Sequence, residues 1–316
     1  MNLSIVIPNY NGKDLLRKNL PKVIEALKTY GSGEPEIIIV DDHSTDNSIK
    51  IIDKLIVSKL PGWRDRIRVL KNEKNLGFAK TVNKGVGRAK EKVVILLNTD
   101  VTPEKDFLEP LLKHFKDEKI FAVGCMDKSI EGNKIILRGR GLGKWEKGLF
   151  VHSRGEVDKT STFWVNGGSG AFRKNIWEKL EGFNELYSPF YWEDIDLSYR
   201  ALKSGYKITF EPKSIVMHEH EKGSIKSTYS DFEVKTIAYR NQFIFVWENA
   251  TDYSLQFLHL VFLPYHFIKA LLGFDLAFFI GFFEAFILLP RIIISSLNYQ
   301  KLFIKKDGEV MKEFLK

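Results

Sequence analysis

Asp100 closes the segment Asn98-Thr99-Asp100, directly after the apolar run Val93–Leu97. A carboxylate held there can bind a hard divalent cation, Mg²⁺ or Mn²⁺, which prefers oxygen ligands and is often shared with phosphates. Asn98 offers a second oxygen. Two other runs end in a similar way: Leu3–Ile7 in Pro8-Asn9-Tyr10-Asn11-Gly12, and Glu36–Val40 in Asp41-Asp42-His43-Ser44. Taken singly, each reads as a turn or helix cap, because Asp, Asn and Ser favour such places. On neighbouring strands all three would converge on one crevice, since open α/β sheets bind ligands beyond the carboxyl ends of their strands.

A second group of residues is Val165-Asn166-Gly167-Gly168-Ser169-Gly170, followed by Phe190-Tyr191-Trp192-Glu193-Asp194-Ile195-Asp196. The glycines let backbone approach a ligand closely. Three acids within four residues exceed what a helix N-terminus alone asks for. The aromatic residues before them suggest a partly apolar pocket wall. A carboxylate in that setting could act as general base on a hydroxyl. The segment Val216-Met217-His218-Glu219-His220 puts two imidazoles on one side of a strand. His218 reads either as a structural histidine or as a partner of the Asp100 metal.

These residues need a frame that holds strand ends together. The runs Leu3–Ile7, Glu36–Val40, Ile67–Leu70, Val93–Leu97 and Ile120–Met126 are short and rich in Ile and Val, as in strands buried on both faces. Helix-like segments alternate with them over Asp14–Thr29, Asp46–Lys59, Gly77–Lys90 and Pro103–Phe115, with Pro103 in the first turn of the last. The alternation predicts an α/β sheet with right-handed crossovers. Residues 127–162, with six glycines, read as a loop or irregular hairpin. Helices are expected near Lys174–Leu180 and Glu193–Ser204, and strands at Lys207–Phe210 and Ser214–His218.

Composition narrows the class. At 44% hydrophobic and 28% charged, the chain can bury a core and is not a disordered polymer. Its one cysteine, Cys125, excludes an internal disulfide framework and reads as a core thiol in a reducing compartment. The formal charge is +8, nearly all of it before Thr236, which suits a phosphorylated ligand or an anionic membrane surface. No compact Lys/Arg run or nucleic-acid module is present, so no nucleic-acid partner is expected. Met1–Pro8 reads as a strand, and no secretory signal is expected.

From Phe243 the composition changes. Tyr253–Pro290 carries only Lys269, Asp275 and Glu284 as formal charges. Projected as one helix it has a wide apolar face and a narrow stripe through His266, Lys269, Gly273, Ala277 and Glu284. That face must be buried in lipid, in another subunit or against the front domain. Interfacial association is expected over a true span, because an acid at a helix centre in the bilayer costs ~2.5–3.5 kcal/mol.

Six segments in order resemble the family-2 glycosyltransferases of GT-A fold. They are Ser4-Ile5-Val6-Ile7-Pro8-Asn9-Tyr10-Asn11, Ile39-Val40-Asp41-Asp42-His43-Ser44-Thr45-Asp46, Asn75-Leu76-Gly77-Phe78-Ala79, Leu96-Leu97-Asn98-Thr99-Asp100, Gly168-Ser169-Gly170-Ala171 and Trp192-Glu193-Asp194-Ile195-Asp196-Leu197. Within the family the chain is most similar to the rhamnosyltransferase-like branch. The resemblance implies a Rossmann-like mixed sheet flanked by helices over residues 1–228. Residues 229–316 would then form a helical extension that associates with a membrane or makes a homo-oligomer. It implies an inverting, metal-dependent glycosyltransferase. The enzyme would move a sugar from a nucleotide-diphosphate donor to a glycan or lipid-linked acceptor for surface polysaccharide, on the inner face of the cell membrane. By the same resemblance Pro8 and Tyr10 line the nucleotide base and Asp42 bonds its ring nitrogen. Asn75, Gly77 and Asn83 lie near ribose and phosphates. Asp100 holds Mg²⁺ or Mn²⁺, with His218 as a further ligand for which His220 competes. Asp194 is the catalytic base, and Glu193 and Trp192 face the acceptor. The family's DXD motif reads Asn98-Thr99-Asp100 here, one acid short. Two other readings share the crevice. One is a sugar-phosphate nucleotidyltransferase, disfavoured because Asn9-Tyr10-Asn11-Gly12-Lys13 is a poor phosphate loop. The other is a non-catalytic nucleotide-sugar-binding module, disfavoured because the acids are present.

Overall fold

The computed structural model describes residues 1–58, 60–131, 134–218 and 228–314. The first strands are β1 (Ser4–Asn9), β2 (Glu36–Asp41), β3 (Ile67–Lys71) and β4 (Val93–Leu97), all parallel where they pair. β5 (Val101–Pro103), β6 (Ile120–Glu131), β7 (Lys134–Arg138), β10 (Ser169–Arg173) and β11 (Lys207–His218) complete a mixed sheet. Its order is β3-β2-β1-β4-β10-β6-β11-β5, with β7 on the edge of β6. A separate hairpin joins β8 (Gly141–Glu146) to β9 (Leu149–Arg154).

Alternate residues of the central strands enter opposite cores, as a period of two requires. Ile5, Ile7, Ile37 and Ile39 pack on one face with α1 (Lys13–Tyr30), α2 (Ser48–Ser58) and α4 (Leu108–Leu112). Val6, Ile38, Val40 and Leu96 pack on the other with α3 (Phe78–Arg88), α5 (Lys174–Lys179) and α6 (Glu193–Lys203). Gly85 lets α3 lie against this face, because a Cβ there would meet Val6. Cys125 is buried among these strands, and burial pushes its thiol up to about 12, as befits an inert core residue.

Three expectations are corrected. Pro103 does not start a helix; it ends β5, opposite Val216. The turn Asn98–Asp100 sends the chain back to cover the edge of β11, so the helix begins only at Leu108. The glycine-rich stretch 127–162 is mostly strand. β6 runs on to Glu131 and pairs with β7, and Lys147-Gly148, both at positive φ, close the two-residue turn of β8–β9. Ser169-Gly170, expected to belong to a turn over Gly167–Gly170, opens β10, which lies antiparallel between β4 and β6.

The tail is not one helix. It comprises α7 (Asp231–Asn249), α8 (Tyr253–Leu272), α9 (Leu276–Ile287), α10 (Leu289–Gln300) and α11 (Asp307–Phe314). The projected helix breaks at Gly273-Phe274-Asp275, where Phe274 has φ 51°, and α9 and α10 meet at a 65° bend. Part of the apolar surface is buried against the front of the molecule. Phe243, Ile244 and Phe245 of α7 are fully buried, in one core with Trp192 and Tyr199. From α11, Asp307 reaches back to Lys203 at 2.8 Å, both fully buried. α8 remains largely bare and, by length and composition, could cross a membrane.

Candidate active site

β2, β1 and β4 are neighbours, so the three polar strand ends do converge. They border a cleft of about 970 Å³ that is also lined by the glycine turn and the start of α6. The strand ends are laced together. Asn9 Nδ2 donates to Asp41 Oδ1 (2.7 Å) and Ser44 Oγ (3.1 Å), and Asn11 Oδ1 accepts from the backbone of Thr45 (2.8 Å) and Asp46 (3.2 Å). Gly168 O accepts from Asn98 N–H at 2.9 Å, tying the end of β4 to the glycine turn.

Pro8 and Tyr10 line the cleft, with Tyr10 36% exposed and its ring accessible to a ligand. Asp42 also lines the cleft, though nearly fully buried. Its carboxylate accepts from Asn72 Nδ2 (2.8 Å), Leu76 N–H (2.8 Å) and Gly77 N–H (2.9 Å), so it fixes the loop that enters α3. Asn75 and Gly77 reach the cleft on that loop. Asn83 is not among the residues lining it. Its amide clamps the backbone of Phe183, donating to the carbonyl at 2.7 Å and accepting from the N–H at 2.9 Å. An asparagine that looked available to a ligand in sequence is instead used to hold the Phe183 loop.

Asp100 and His218 come together, with Oδ2 and Nε2 3.2 Å apart. Behind the imidazole, Asp127 Oδ2 lies 2.9 Å from Nδ1. Burial works against a charged imidazole, but Asp100 and Asp127 push His218 up to about 9. A carboxylate on the far nitrogen is the usual way to orient a metal-binding histidine. Asn98 Oδ1 is buried at the same strand end without a hydrogen-bond partner. An oxygen-rich set with one imidazole fits Mg²⁺ or Mn²⁺. Among the described residues no group of three His, Cys, Asp or Glu side chains forms a metal-binding cluster, and His220 lies outside them.

Also on the cleft, Tyr191 (φ 69°) and Trp192 (φ 78°) are both left-handed, and α6 begins directly after them. Asp194 Oδ1 accepts from Ile195 N–H at 2.8 Å, and Oδ2 from Gly167 N–H at 3.3 Å. Burial outweighs these contacts and raises Asp194 to about 6. Burial, and then the charge of Asp194, hold Glu193 well above the usual carboxylate range. Its Oε2 is buried without a partner. The third acid separates from the site: Asp196 is fully buried and pairs with Arg200 at 2.6 Å. Trp192 is 5% exposed and contributes to the cleft wall.

Arg138, His152, Trp164 and Tyr229 also line the cleft, and the sequence reading missed them. Arg138 ends β7 and His152 lies on β9, in the stretch read as a loop or irregular hairpin. The His152 ring meets Trp164 and Trp192 edge to face, at 5.4 and 4.9 Å. Only the correct strand assignment would have pointed to them.

A family model described as "Glycosyl transferase family 2" matches residues 4–180. The chain is similar to the O-antigen chain rhamnosyltransferase RfbN of Salmonella typhimurium, 23% identical over 223 residues, covering 70% of this chain and 67% of that one. It spans 43% of the pre-mycofactocin glycosyltransferase of Mycobacterium tuberculosis, to which it is 27% identical over 227 residues, 69% of this chain. Among solved structures it is similar to GalNAc-T7 with UDP, GalNAc and Mn²⁺, with a TM-score of 0.63, 21% identity and coverage of 80% of this chain and 49% of that one. It is also similar to the mannosyltransferase PcManGT of Pyrobaculum calidifontis with GDP-Man and Mn²⁺, with a TM-score of 0.57, 16% identity and coverage of 94% and 73%.

Proposed function

The chain belongs to glycosyl transferase family 2, and from that premise we propose an inverting transfer of a sugar from a nucleoside-diphosphate donor to a hydroxyl of a glycan or lipid-linked acceptor. One observation carries this reading: the Asp100–His218 pair and the Asp194 carboxylate line the same cleft. The first suits a diphosphate and the second suits an attacking hydroxyl. The O-antigen role of the relatives supports surface polysaccharide as the product class.

In this reading Tyr10 and Pro8 receive the base, while Asp42 holds the loop carrying Asn75 and Gly77 beside the ribose and phosphates. Asp100 and His218 would hold Mg²⁺ or Mn²⁺, which when bound neutralises charge on the departing diphosphate. Asp194, raised to about 6, is ionised at neutral pH yet basic enough to take the acceptor's proton. The Gly167 and Ile195 N–H groups aim its oxygens. Glu193 and Trp192 bound the acceptor side.

The bare surface of α8 and α9 supports the second part of the proposal. Phe257, Leu260, Leu272, Phe274 and Ile287 are all more than half exposed. A contiguous apolar face of this kind suits peripheral attachment to the cytoplasmic side of a membrane, where lipid-linked acceptors reside. The division of labour is then catalysis in residues 1–228 and attachment in 229–316. Calorimetry of UDP, GDP and dTDP with Mn²⁺ tests the donor half. Metal-dependent binding that Asp100→Ala abolishes is expected, and binding unaffected by that change contradicts the assignment.

A further inference from the structure

Glu193 and Asp194 are aimed by the turn before them, and that turn is held from outside the segment the family model matches. Residues Asn184–Trp192 form a loop with no regular structure beyond one short 3₁₀ turn, Glu185–Tyr187. It ends in two consecutive left-handed non-glycine residues, a conformation that persists only where the surroundings over-determine it. The over-determination comes from one face of α7. Asn241, fully buried, turns its amide nitrogen to three carbonyls of this loop: Tyr187 at 3.0 Å, Phe190 at 2.9 Å and Tyr191 at 2.9 Å. Three acceptors on one side fix which end of the amide faces them, and Oδ1 accepts from Arg240 Nε at 3.0 Å on the other. Arg240 also donates to Ser188 O. Two turns further along α7, Glu248 accepts from Asn184 Nδ2 at 2.6 Å and from Tyr187 OH at 3.0 Å.

We propose that Asn241, on a helix that the family resemblance places in the C-terminal extension, is the positioning residue for the catalytic carboxylates. By binding the carbonyls of Tyr187, Phe190 and Tyr191 together, it sets the left-handed turn from which Glu193 and Asp194 project. The tail therefore completes the active site. The physical reason is that the left-handed pair has no glycine to ease it, so without an external clamp the turn relaxes toward commoner backbone conformations. A shift of about 1 Å in a catalytic group is enough to cost about 10²-fold in rate. The inference rests on Asp194 being the base, and its test is arranged to separate the two.

The experiment uses the full chain. Asn241→Asp keeps the shape but presents oxygen to the three carbonyls, Asn241→Ala removes the clamp, and Val246→Ala, elsewhere on α7 and 2% exposed, is the packing control. Nucleoside-diphosphate release from UDP-, GDP- and dTDP-sugars with Mn²⁺ is read beside the affinity for the free nucleoside diphosphate and the melting temperature. Both Asn241 variants should lose about 10²-fold in kcat with nucleotide affinity unchanged, whereas Val246→Ala should lower the melting temperature and leave kcat alone. Unchanged kcat in the Asn241 variants, or an equal kcat loss in Val246→Ala, overturns the proposal. If Asn241→Ala does not fold, Arg240→Met frees both Ser188 O and Asn241 Oδ1 while leaving the Asn241 amide nitrogen on its three carbonyls, and should lower kcat in the same direction; unchanged kcat there is equally fatal. If wild type and Asp194→Asn release nucleotide alike, the assignment of the base fails. Amide exchange over residues 187–195 then decides the positioning claim. Faster exchange confined to that loop in Asn241→Ala but not in Val246→Ala supports it, and unchanged exchange refutes it.

Discussion

Asp194→Asn should slow turnover and, at neutral pH, stabilise the fold. The wild-type acid stands at about 6 against an ordinary 3.8, because burial penalises its charge. An acid raised on folding costs stability wherever it is ionised. The cost is absent below about 3.8, grows up to about 6 and is full above that. At 1.36 kcal/mol per unit it reaches about 3 kcal/mol. Asparagine carries no charge, but its single oxygen satisfies only one of the Gly167 and Ile195 N–H groups. Leaving the other unmet returns about 1–3 kcal/mol of the gain. The net is about 0–2 kcal/mol in favour of the variant, a rise in melting temperature of up to about 4 °C for a chain of this size. Near pH 4 the wild-type acid is largely neutral, the charge cost is gone, and the variant should be the less stable of the two. Thermal unfolding of both proteins from about pH 4 to about pH 7.5 reads this directly. Turnover of the variant should be lower by about 10²–10⁴-fold. A stability difference that is constant across that range, or a variant less stable at the neutral end, would refute the reasoning that burial raises this carboxyl.

Three further outcomes are expected. Asp307→Ala strands the fully buried Lys203 ammonium and should cost about 3–5 kcal/mol, read in denaturant unfolding; a loss below about 1 kcal/mol would show that Lys203 finds water or another partner. Truncation before Ser254 removes Asp307 along with the apolar helices, so it should destabilise the protein rather than simply release it from membranes; a truncated chain with an unchanged melting temperature would contradict this. Glutamate at Phe257, Leu260 and Phe274 should abolish sedimentation with anionic liposomes while nucleoside-diphosphate release in solution continues. Unchanged liposome binding sinks the membrane reading, and a change in molecular mass in solution instead marks an interface between copies.

Much of the fold was legible because burial on both faces leaves an unambiguous mark. The Ile and Val runs of β1, β2 and β4 have no other stable place, and their polar ends had to meet once the strands were neighbours. The short run Ser169–Arg173 was not legible, since Gly170 beside Ser169 and Gly168 reads as turn. It is a strand because it fills the gap between β4 and β6, whose facing edges would otherwise be unpaired, and Gly170 sits where a Cβ would crowd Val165. Asp127 escaped notice for a similar reason: it follows the apolar run of β6, and its role exists only because β11 pairs alongside and delivers His218 to it. Arg138 and His152 were hidden by glycines that are hairpin turns and ring contacts, as at Gly143 against Phe150 and Phe163. In the tail, hydropathy showed the apolar face of α8 and α9 but could not show Asn241, whose partners are carbonyls of a loop about fifty residues earlier.

The central claim is that Asp194 drives a single displacement at the anomeric carbon of a nucleotide sugar. Time-resolved NMR of the sugar released by water in place of the acceptor, with Mn²⁺ and whichever donor binds, tests it most directly. The account predicts that the first-formed sugar has the anomeric configuration opposite to the donor's, and that Asp194→Asn forms it about 10²–10⁴-fold more slowly. A first-formed sugar of retained configuration, or release that proceeds equally well in the variant, would contradict it.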